Sequence, residues 1–237
     1  AFGEDEFPVI PKVIFLQDIW HEQLGLEYLA GYLRSQGVVC DLYIERGEHD
    51  LMKILQDTKP HLVSFSSTTG SHLWALKTAS QVKSVLSCPV VMGGPHPTFY
   101  PKVIEDPNID IICRGEGEDA LYELVAALTS GKDFTGIKNL WVKKNGRIYR
   151  NPLRPLVERL DALPFPDRSI YDRYRLFRKD TVRPLMASRG CPYACSYCFN
   201  VSSRDLYKGK GKYVRQRSIE SVIAECAEII SLYHPRI

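Results

Sequence analysis

Lys12-Val13-Ile14-Phe15-Leu16-Gln17 is the stretch on which the fold turns. It is an apolar run of strand length, and it is followed by Leu26, Leu29, Ala30 and Leu33 at helical spacing, a stripe that stops before Gly37. A strand without polar alternation is covered on both faces, and such a strand feeding an amphipathic helix is the repeating unit of a parallel sheet. The unit recurs. Val38 to Ile44, His61 to Ser66, Val90 to Gly93 and Ile109 to Arg114 read as further strands. Ala75, Ala79, Val82 and Leu86 form a second helical stripe, and Leu121, Leu124, Val125 and Leu128 a third ahead of Gly131. The fold class expected is α/β, with a doubly wound domain over residues 1–135. Its strand order is either flavodoxin-like or Rossmann-like, and periodicity does not choose between them.

Residues 136–182 read as a hairpin and a connection. Leu140 to Lys144 and Arg147 to Arg150 flank Asn145-Gly146, a dipeptide suited to the positive φ angles of a type I′ turn. Pro152, Pro155, Pro164 and Pro166 follow, where missing amide donors prevent a long regular element. Residues 183–237 then supply a strand, Arg183 to Ser188, a cysteine-rich loop, a basic segment from Arg204 to Arg217 and a helix from Ser218. That is one β/α unit. A closed (β/α)₈ barrel takes roughly 200 residues or more, so the second domain is expected to be truncated or completed by another chain. The first residue, Ala1, and the last run, His234-Pro235-Arg236-Ile237, suit a fragment.

A hydrophobic fraction of 44% in 237 residues supports real cores, and a net charge of +3 gives no general case for nucleic acid or a membrane surface. No apolar run approaches the length of a membrane span, and Ala1-Phe2-Gly3-Glu4-Asp5-Glu6 lacks the regions of a signal peptide. The seven cysteines are an odd count with three packed together, which argues against a disulfide framework and for a reducing cytoplasm. Cys40, Cys88, Cys113 and Cys226 read as small buried hydrophobes. Cys226 is placed so by Ile219, Val222, Ile223 and Ile230, which share its helical face.

The other three cysteines lie in Cys191-Pro192-Tyr193-Ala194-Cys195-Ser196-Tyr197-Cys198. Three thiolates at CxxxCxxC spacing on one loop suit three corners of an iron–sulfur cube and leave the fourth iron open to chemistry. A structural zinc site needs a fourth ligand, which no neighbouring Cys or His supplies at a recognisable spacing. A ferredoxin-like carrier supplies four cysteines to each cluster. The basic run Lys208, Lys210, Lys212, Arg215 and Arg217 reads as a solvated loop rather than a nucleic-acid face.

Ligands of a doubly wound sheet sit beyond the carboxyl ends of its strands. There the sequence places Ser66-Ser67-Thr68-Thr69-Gly70, Gly93-Gly94-Pro95-His96-Pro97-Thr98 and Gly115-Glu116-Gly117-Glu118. Small residues let a bulky planar ligand approach the backbone, although each loop taken singly also reads as helix capping or turn. His96, between two prolines, either points into a site or satisfies a loop carbonyl. No GxGxxG follows the first strand, which counts against a dinucleotide.

These residues resemble the cobalamin-binding radical S-adenosylmethionine enzymes over nearly the whole chain. Leu24-Gly25-Leu26-Glu27-Tyr28-Leu29-Ala30, the Gly93 to Thr98 and Arg114 to Glu118 runs, Leu163-Pro164-Phe165-Pro166 and Ser188-Arg189-Gly190-Cys191-Pro192-Tyr193 follow one another in that family's order. The resemblance implies a cobalamin-binding domain followed by the start of a radical S-adenosylmethionine barrel. Cys191, Cys195 and Cys198 would hold a [4Fe-4S] cluster whose free iron binds S-adenosylmethionine, with Tyr197 bordering the adenine. An electron from an external flavodoxin or ferredoxin would generate a 5′-deoxyadenosyl radical. Methyl transfer to an unreactive carbon is the activity implied, with ring formation or rearrangement, or a non-catalytic cobalamin carrier, as alternatives. The substrate is not assigned. Asp18-Ile19-Trp20-His21-Glu22-Gln23-Leu24-Gly25 departs from the DxHxxG spacing of histidine-on cobalamin domains, so a histidine ligand to cobalt is not expected and Trp20 or a neighbour is expected near the lower face.

Overall fold

The computed structural model describes residues 10–234. The acidic run at 1–6 and the end at 235–237, on which the signal-peptide and fragment readings rest, lie outside the described residues. The chain runs β1 (Lys12–Gln17), α1 (Leu24–Ser35), β2 (Val39–Ile44), α2 (Leu51–Thr58), β3 (Leu62–Ser66), α3 (His72–Val85), β4 (Val90–Gly93), α4 (Pro95–Phe99), β5 (Ile111–Cys113) and α5 (Glu118–Thr129). The hairpin β6 (Leu140–Lys144) and β7 (Arg147–Arg150) follows, then α6 (Arg175–Lys179), β8 (Ser188–Arg189), α7 (Asn200–Leu206), β9 (Arg215–Gln216) and α8 (Ile219–Tyr233).

The main sheet has the order β2-β1-β3-β4-β5-β6-β7, parallel through β5 and antiparallel beyond it. The first five strands therefore take the flavodoxin-like order. Alternation along β1 divides two cores. Val13 and Phe15 join Leu26, Ala30 and Leu33 of α1 and Leu121 and Leu124 of α5, whereas Ile14 and Leu16 join Leu51 and Leu55 of α2 and Ala75 and Val82 of α3. Helix α2 carries no stripe long enough to read in the sequence. It is set instead by Asp50, whose side chain accepts from the Lys53 amide at its N-terminus.

The hairpin turns through Asn145 (φ 52°) and Gly146 (φ 72°), as its residues require. It does not stand apart from the sheet: β6 pairs with β5, Ile111 opposite Val142. Beyond it, the proline-rich connection is a strap. Ile170, Tyr171, Tyr174 and Phe177 are buried in the α1/α5 core. The Tyr171 hydroxyl donates to Gln17 Oε1 (2.8 Å) and accepts from the Gln23 amide (2.9 Å), fixing the exit of β1 to the entry of α1. The Tyr174 hydroxyl accepts from the Ile44 amide (2.6 Å) and donates to Glu48 (2.7 Å) at the end of β2. The strap crosses α1 at Gly31, where an added Cβ would lie 2.4 Å from the Phe165 carbonyl oxygen.

The strand expected over Arg183 to Ser188 is reduced to β8, which pairs antiparallel with β9. The Ala187 carbonyl accepts from the Arg217 amide (2.9 Å) beside that ribbon, and residues 183–186 belong to no strand. Helix α8 begins where expected, capped by Ser218, but its buried face is not the one expected. Glu225 and Ile229 face inward, while Cys226 is exposed and Ile219, Ile223 and Ile230 are open to solvent. Ion pairs decide the rotation: Glu225 is held by Arg168 (2.6 Å) from the strap and by Arg217 just ahead of α8.

Glu27 of α1 lies beside this cluster, fully buried, with neither carboxyl oxygen hydrogen-bonded and Arg168 Nε at 3.9 Å. Burial, aided by the charge of Glu22 and opposed by Arg168 and Arg183, pushes its carboxyl up to about 7. The folded state thus holds this proton more tightly than the unfolded chain, and stability falls as pH rises from the ordinary glutamate value of 4.5 towards 7. Glu27→Gln is expected to match wild type at pH 5 in urea unfolding and to exceed it by about 2–3 kcal/mol at pH 8. Gly31→Ala is expected to lower stability by about 1–3 kcal/mol at any pH, because the strap must move off α1.

Candidate cofactor site

A cavity of about 450 Å³ opens past the carboxyl ends of β3, β4 and β5. Ser66, Gly93 and Gly94 line one side, the Gly115 to Glu118 loop another, Leu26 and Leu29 of α1 a third. Met186, Ser188 and Arg189, from the segment that leads into the cysteine loop, close the fourth. A second cavity of about 280 Å³ shares Gly94, Gly115 and Arg189 with the first and extends between Pro95 and α7.

Gly94 (φ 92°) lets the β3 and β4 loops cross. A Cβ there would meet the Ser67 amide nitrogen and carbonyl oxygen at 2.8 Å each, and Ser67 exchanges backbone hydrogen bonds with Gly93 and His96. Thr98 ties in the third loop, donating to the Gly94 carbonyl (2.8 Å) and accepting from the Gly115 amide (3.0 Å). At Gly115 (φ 78°) a Cβ would fall 1.7 Å from the Tyr207 hydroxyl, which accepts from the Glu116 amide (3.1 Å). The residues fit a bulky ligand: the glycine-lined cavity leaves backbone bare at the strand ends.

Ser67, Thr68 and His96 are not at the cavity wall. The Ser67 hydroxyl donates to the Thr68 carbonyl (3.0 Å), and Thr68 sits exposed in the turn that starts α3. His96 is buried, its Nδ1 3.2 Å from the Thr69 hydroxyl and its ring stacked on His72 at 4.2 Å. Burial, with His72 nearby, pulls its pKa down, and its Nε2 has no hydrogen-bond partner. Trp20 does not line the cavity either, because its ring rests edge-on against Tyr174 (5.3 Å) and beside Phe177. His21 is exposed.

Glu116 and Glu118 line the cavity but spend their oxygens on arginines. Arg215 grips Glu116 in a two-pronged fork (2.8 and 3.0 Å), Arg189 reaches Glu116 (3.2 Å) and Glu118 (2.7 Å), and the Val157 amide donates to Glu116 (3.0 Å). Burial alone would raise the Glu116 carboxyl, but the hydrogen bonds and charges of Arg215 and Arg189 outweigh it and hold it below the usual range. These arginines, with Tyr207, were missed as site residues. Their signals were present: Arg189 stands in the run leading to Cys191, and Arg215 in the basic segment. The end of that segment is not solvated, since Arg215 is buried on Glu116 and Arg217 pairs with Glu225, while Lys208 and Lys212 are exposed.

Cys191 and Cys198 are half-buried, Cys195 is exposed, and all seven thiols are free. Arg204 orders the loop by donating to the carbonyls of Cys191 (2.7 Å) and Tyr193 (2.9 Å). Among the described residues no three His, Cys, Asp or Glu side chains converge to hold a metal. The donor set still fits a cluster, because three free thiols share one short loop and gathering of ligands accompanies metal binding. Tyr197 points into solvent, 92% exposed. Burial pushes the Cys40 and Cys113 thiols up to about 12 and that of Cys88 to about 11, so these read as inert packing groups.

Residues 18–125 match the B12 binding domain family. The chain is 37% identical over 212 residues to an uncharacterized methyltransferase, PH0819, of Pyrococcus horikoshii, covering 85% of this chain and 44% of that protein. It is 33% identical over 188 residues to the anaerobic magnesium-protoporphyrin IX monomethyl ester cyclase of Rubrivivax gelatinosus, covering 72% of this chain and 33% of that one. Its fold matches the radical S-adenosylmethionine methyltransferase TsrM from Kitasatospora setae, solved with cobalamin and a [4Fe-4S] cluster, at a TM-score of 0.67 and 19% identity, covering 94% of this chain and 47% of that one. The chain carries a B12 binding domain, and cobalamin-dependent radical S-adenosylmethionine enzymes are its relatives and structural neighbours. It spans less than half the length of each of these three.

Gly115→Ala is expected to unseat Tyr207 and cost about 2 kcal/mol or more in urea unfolding, through both the left-handed φ and the clash. Tyr207→Phe, which only deprives the Glu116 amide of its acceptor, is expected to cost about 1 kcal/mol.

Proposed function

We propose that this chain is the cofactor-holding part of a cobalamin-dependent radical S-adenosylmethionine enzyme that methylates an unreactive carbon. One observation carries the reading: the glycine-lined cleft of the B12 binding domain is walled by the segment Met186 to Gly190, which runs directly into the cysteine loop. A corrinoid seat and a cluster loop therefore share a wall. A cluster held by that loop would supply one-electron reductive cleavage of S-adenosylmethionine, and cobalamin held in the cleft would supply methyl-carrying chemistry.

The chain's own residues bind and orient. Cys191, Cys195 and Cys198 would hold the cluster, and Tyr197 would border the adenine of S-adenosylmethionine. Ser66, Gly93, Gly94, Gly115 and Gly117 give the corrinoid access to backbone, and Pro95 faces the adjoining cavity. Glu116 and Glu118 act through the arginines they hold. The Asp18 to Gly25 loop, which lacks the DxHxxG spacing, would supply no histidine to cobalt. The parts divide as residues 1–135 for cobalamin, 136–182 for hairpin and strap, and 183–237 for the start of the radical domain, the hairpin extending the first sheet.

The electron donor proposed is an external flavodoxin or ferredoxin. Nucleic acid is not a proposed partner, because Arg215 and Arg217 are consumed internally. No described helix is long and apolar enough to cross a membrane, and seven free thiols suit a reducing cytoplasm. Ring formation is the second reading, favoured by the identity to the magnesium-protoporphyrin cyclase.

Anoxic reconstitution of the chain with iron, sulfide and hydroxocobalamin is expected to give an iron–sulfur chromophore and one corrinoid per chain. Cys195→Ala is expected to lose the first and keep the second. Zinc in the cysteine loop, or corrinoid left unbound by wild type, overturns the proposal.

A further inference from the structure

Arg189 and Arg215 are direct register partners across the β8–β9 ribbon. Two like charges placed opposite each other destabilise an antiparallel pair, and a ribbon with two residues in each strand has few ladder bonds to resist them. Neither guanidinium escapes to water, the Arg189 side chain being 13% exposed and that of Arg215 4%. The ribbon needs a carboxylate from elsewhere. Glu118 touches Arg189 only, whereas Glu116 touches both.

Glu116 comes from the loop between β5 and α5, which lines the cleft and reaches the ribbon directly. Arg189 is joined to Cys191 through Gly190 alone, and Gly190 (φ 86°) is threaded so closely that a Cβ there would lie 2.2 Å from the Tyr213 carbonyl oxygen. Movement of Arg189 is thus passed to the first cluster cysteine and to the cleft wall together.

We propose that Glu116 is a positioning residue: by cancelling the facing charges of Arg189 and Arg215 it seats the cysteine loop against the corrinoid cleft. The functional sense of this latch rests on the cobalamin and cluster reading above, while the latch itself is built from the chain alone. Glu116 does not contact the cofactor in this scheme. Its removal loosens the cleft wall because two arginines repel, so deleting one arginine restores the seat.

Hydrogen–deuterium exchange of the cofactor-free chain tests the latch. Glu116→Gln is expected to speed exchange in residues 186–190 and 213–217 by about tenfold or more, leaving β1 to β5 protected. Arg215→Met in the Glu116→Gln background is expected to recover most of the lost protection, and Arg215→Met alone to lose less than Glu116→Gln. Unchanged exchange in Glu116→Gln, or a double variant no better protected than Glu116→Gln, overturns the proposal. Should Glu116→Gln unfold the sheet, refolding by Arg215→Met supports the latch and its failure to refold overturns it. Equilibrium dialysis with hydroxocobalamin separates positioning from contact. Affinity lost in Glu116→Gln and recovered in the double variant supports positioning. Affinity lost in both while the ribbon stays protected makes Glu116 a direct ligand and overturns it. If wild type takes up no hydroxocobalamin, the proposed function fails, and the exchange arms still decide the latch.

Discussion

Buried carboxylate–guanidinium contacts tie the described residues past 160 to the flavodoxin-like domain and to one another, beside the apolar anchorage of the strap. Glu22 meets Arg183, Glu225 meets Arg168 and Arg217 beside Glu27, and Glu116 and Glu118 meet Arg189 and Arg215. Such pairs are costly to desolvate and weak as sources of net stability, but they tolerate little misalignment, because an unpaired buried charge is worse than none. A seam of this kind fixes where the later segments sit rather than how tightly they adhere. Apolar burial joins it at the strap, where Tyr171 and Phe177 enter the core, and in a small cluster of Leu153, Leu156 and Tyr207.

The sheet was legible because its physics is local. Lys12 to Gln17, Val90 to Gly93 and both hairpin strands fall where their runs of residues place them, since a buried strand needs only a short apolar stretch and a hairpin needs a turn that accepts positive φ. The strand order was not legible, because it depends on which neighbours pair. The second region was read least well. The strand at Arg183 to Ser188 requires a neighbour to exist, and the orientation of α8 follows from Glu225 finding two arginines distant in sequence or hidden in a basic run.

The site divides in the same way. Its glycines were legible, because a glycine at a strand end signals close approach whatever lies opposite. The acidic residues of the Gly115 to Glu118 loop were legible as a unit from their spacing, and only the fold shows which arginines they hold. The position of His96 could not be read for a related reason. Flanking prolines restrain its backbone, but the stacking on His72 that turns it away from the cavity comes from α3.

The far end of the sheet has a consequence of its own. Strand β7 is the open rim, and it carries Arg147 and Arg150 with guanidiniums lying over the rings of Tyr149 and Trp141 at 4.9 and 5.4 Å. Among the described residues no strand pairs beyond β7, and anchored cations along such an edge discourage edge-to-edge polymerisation.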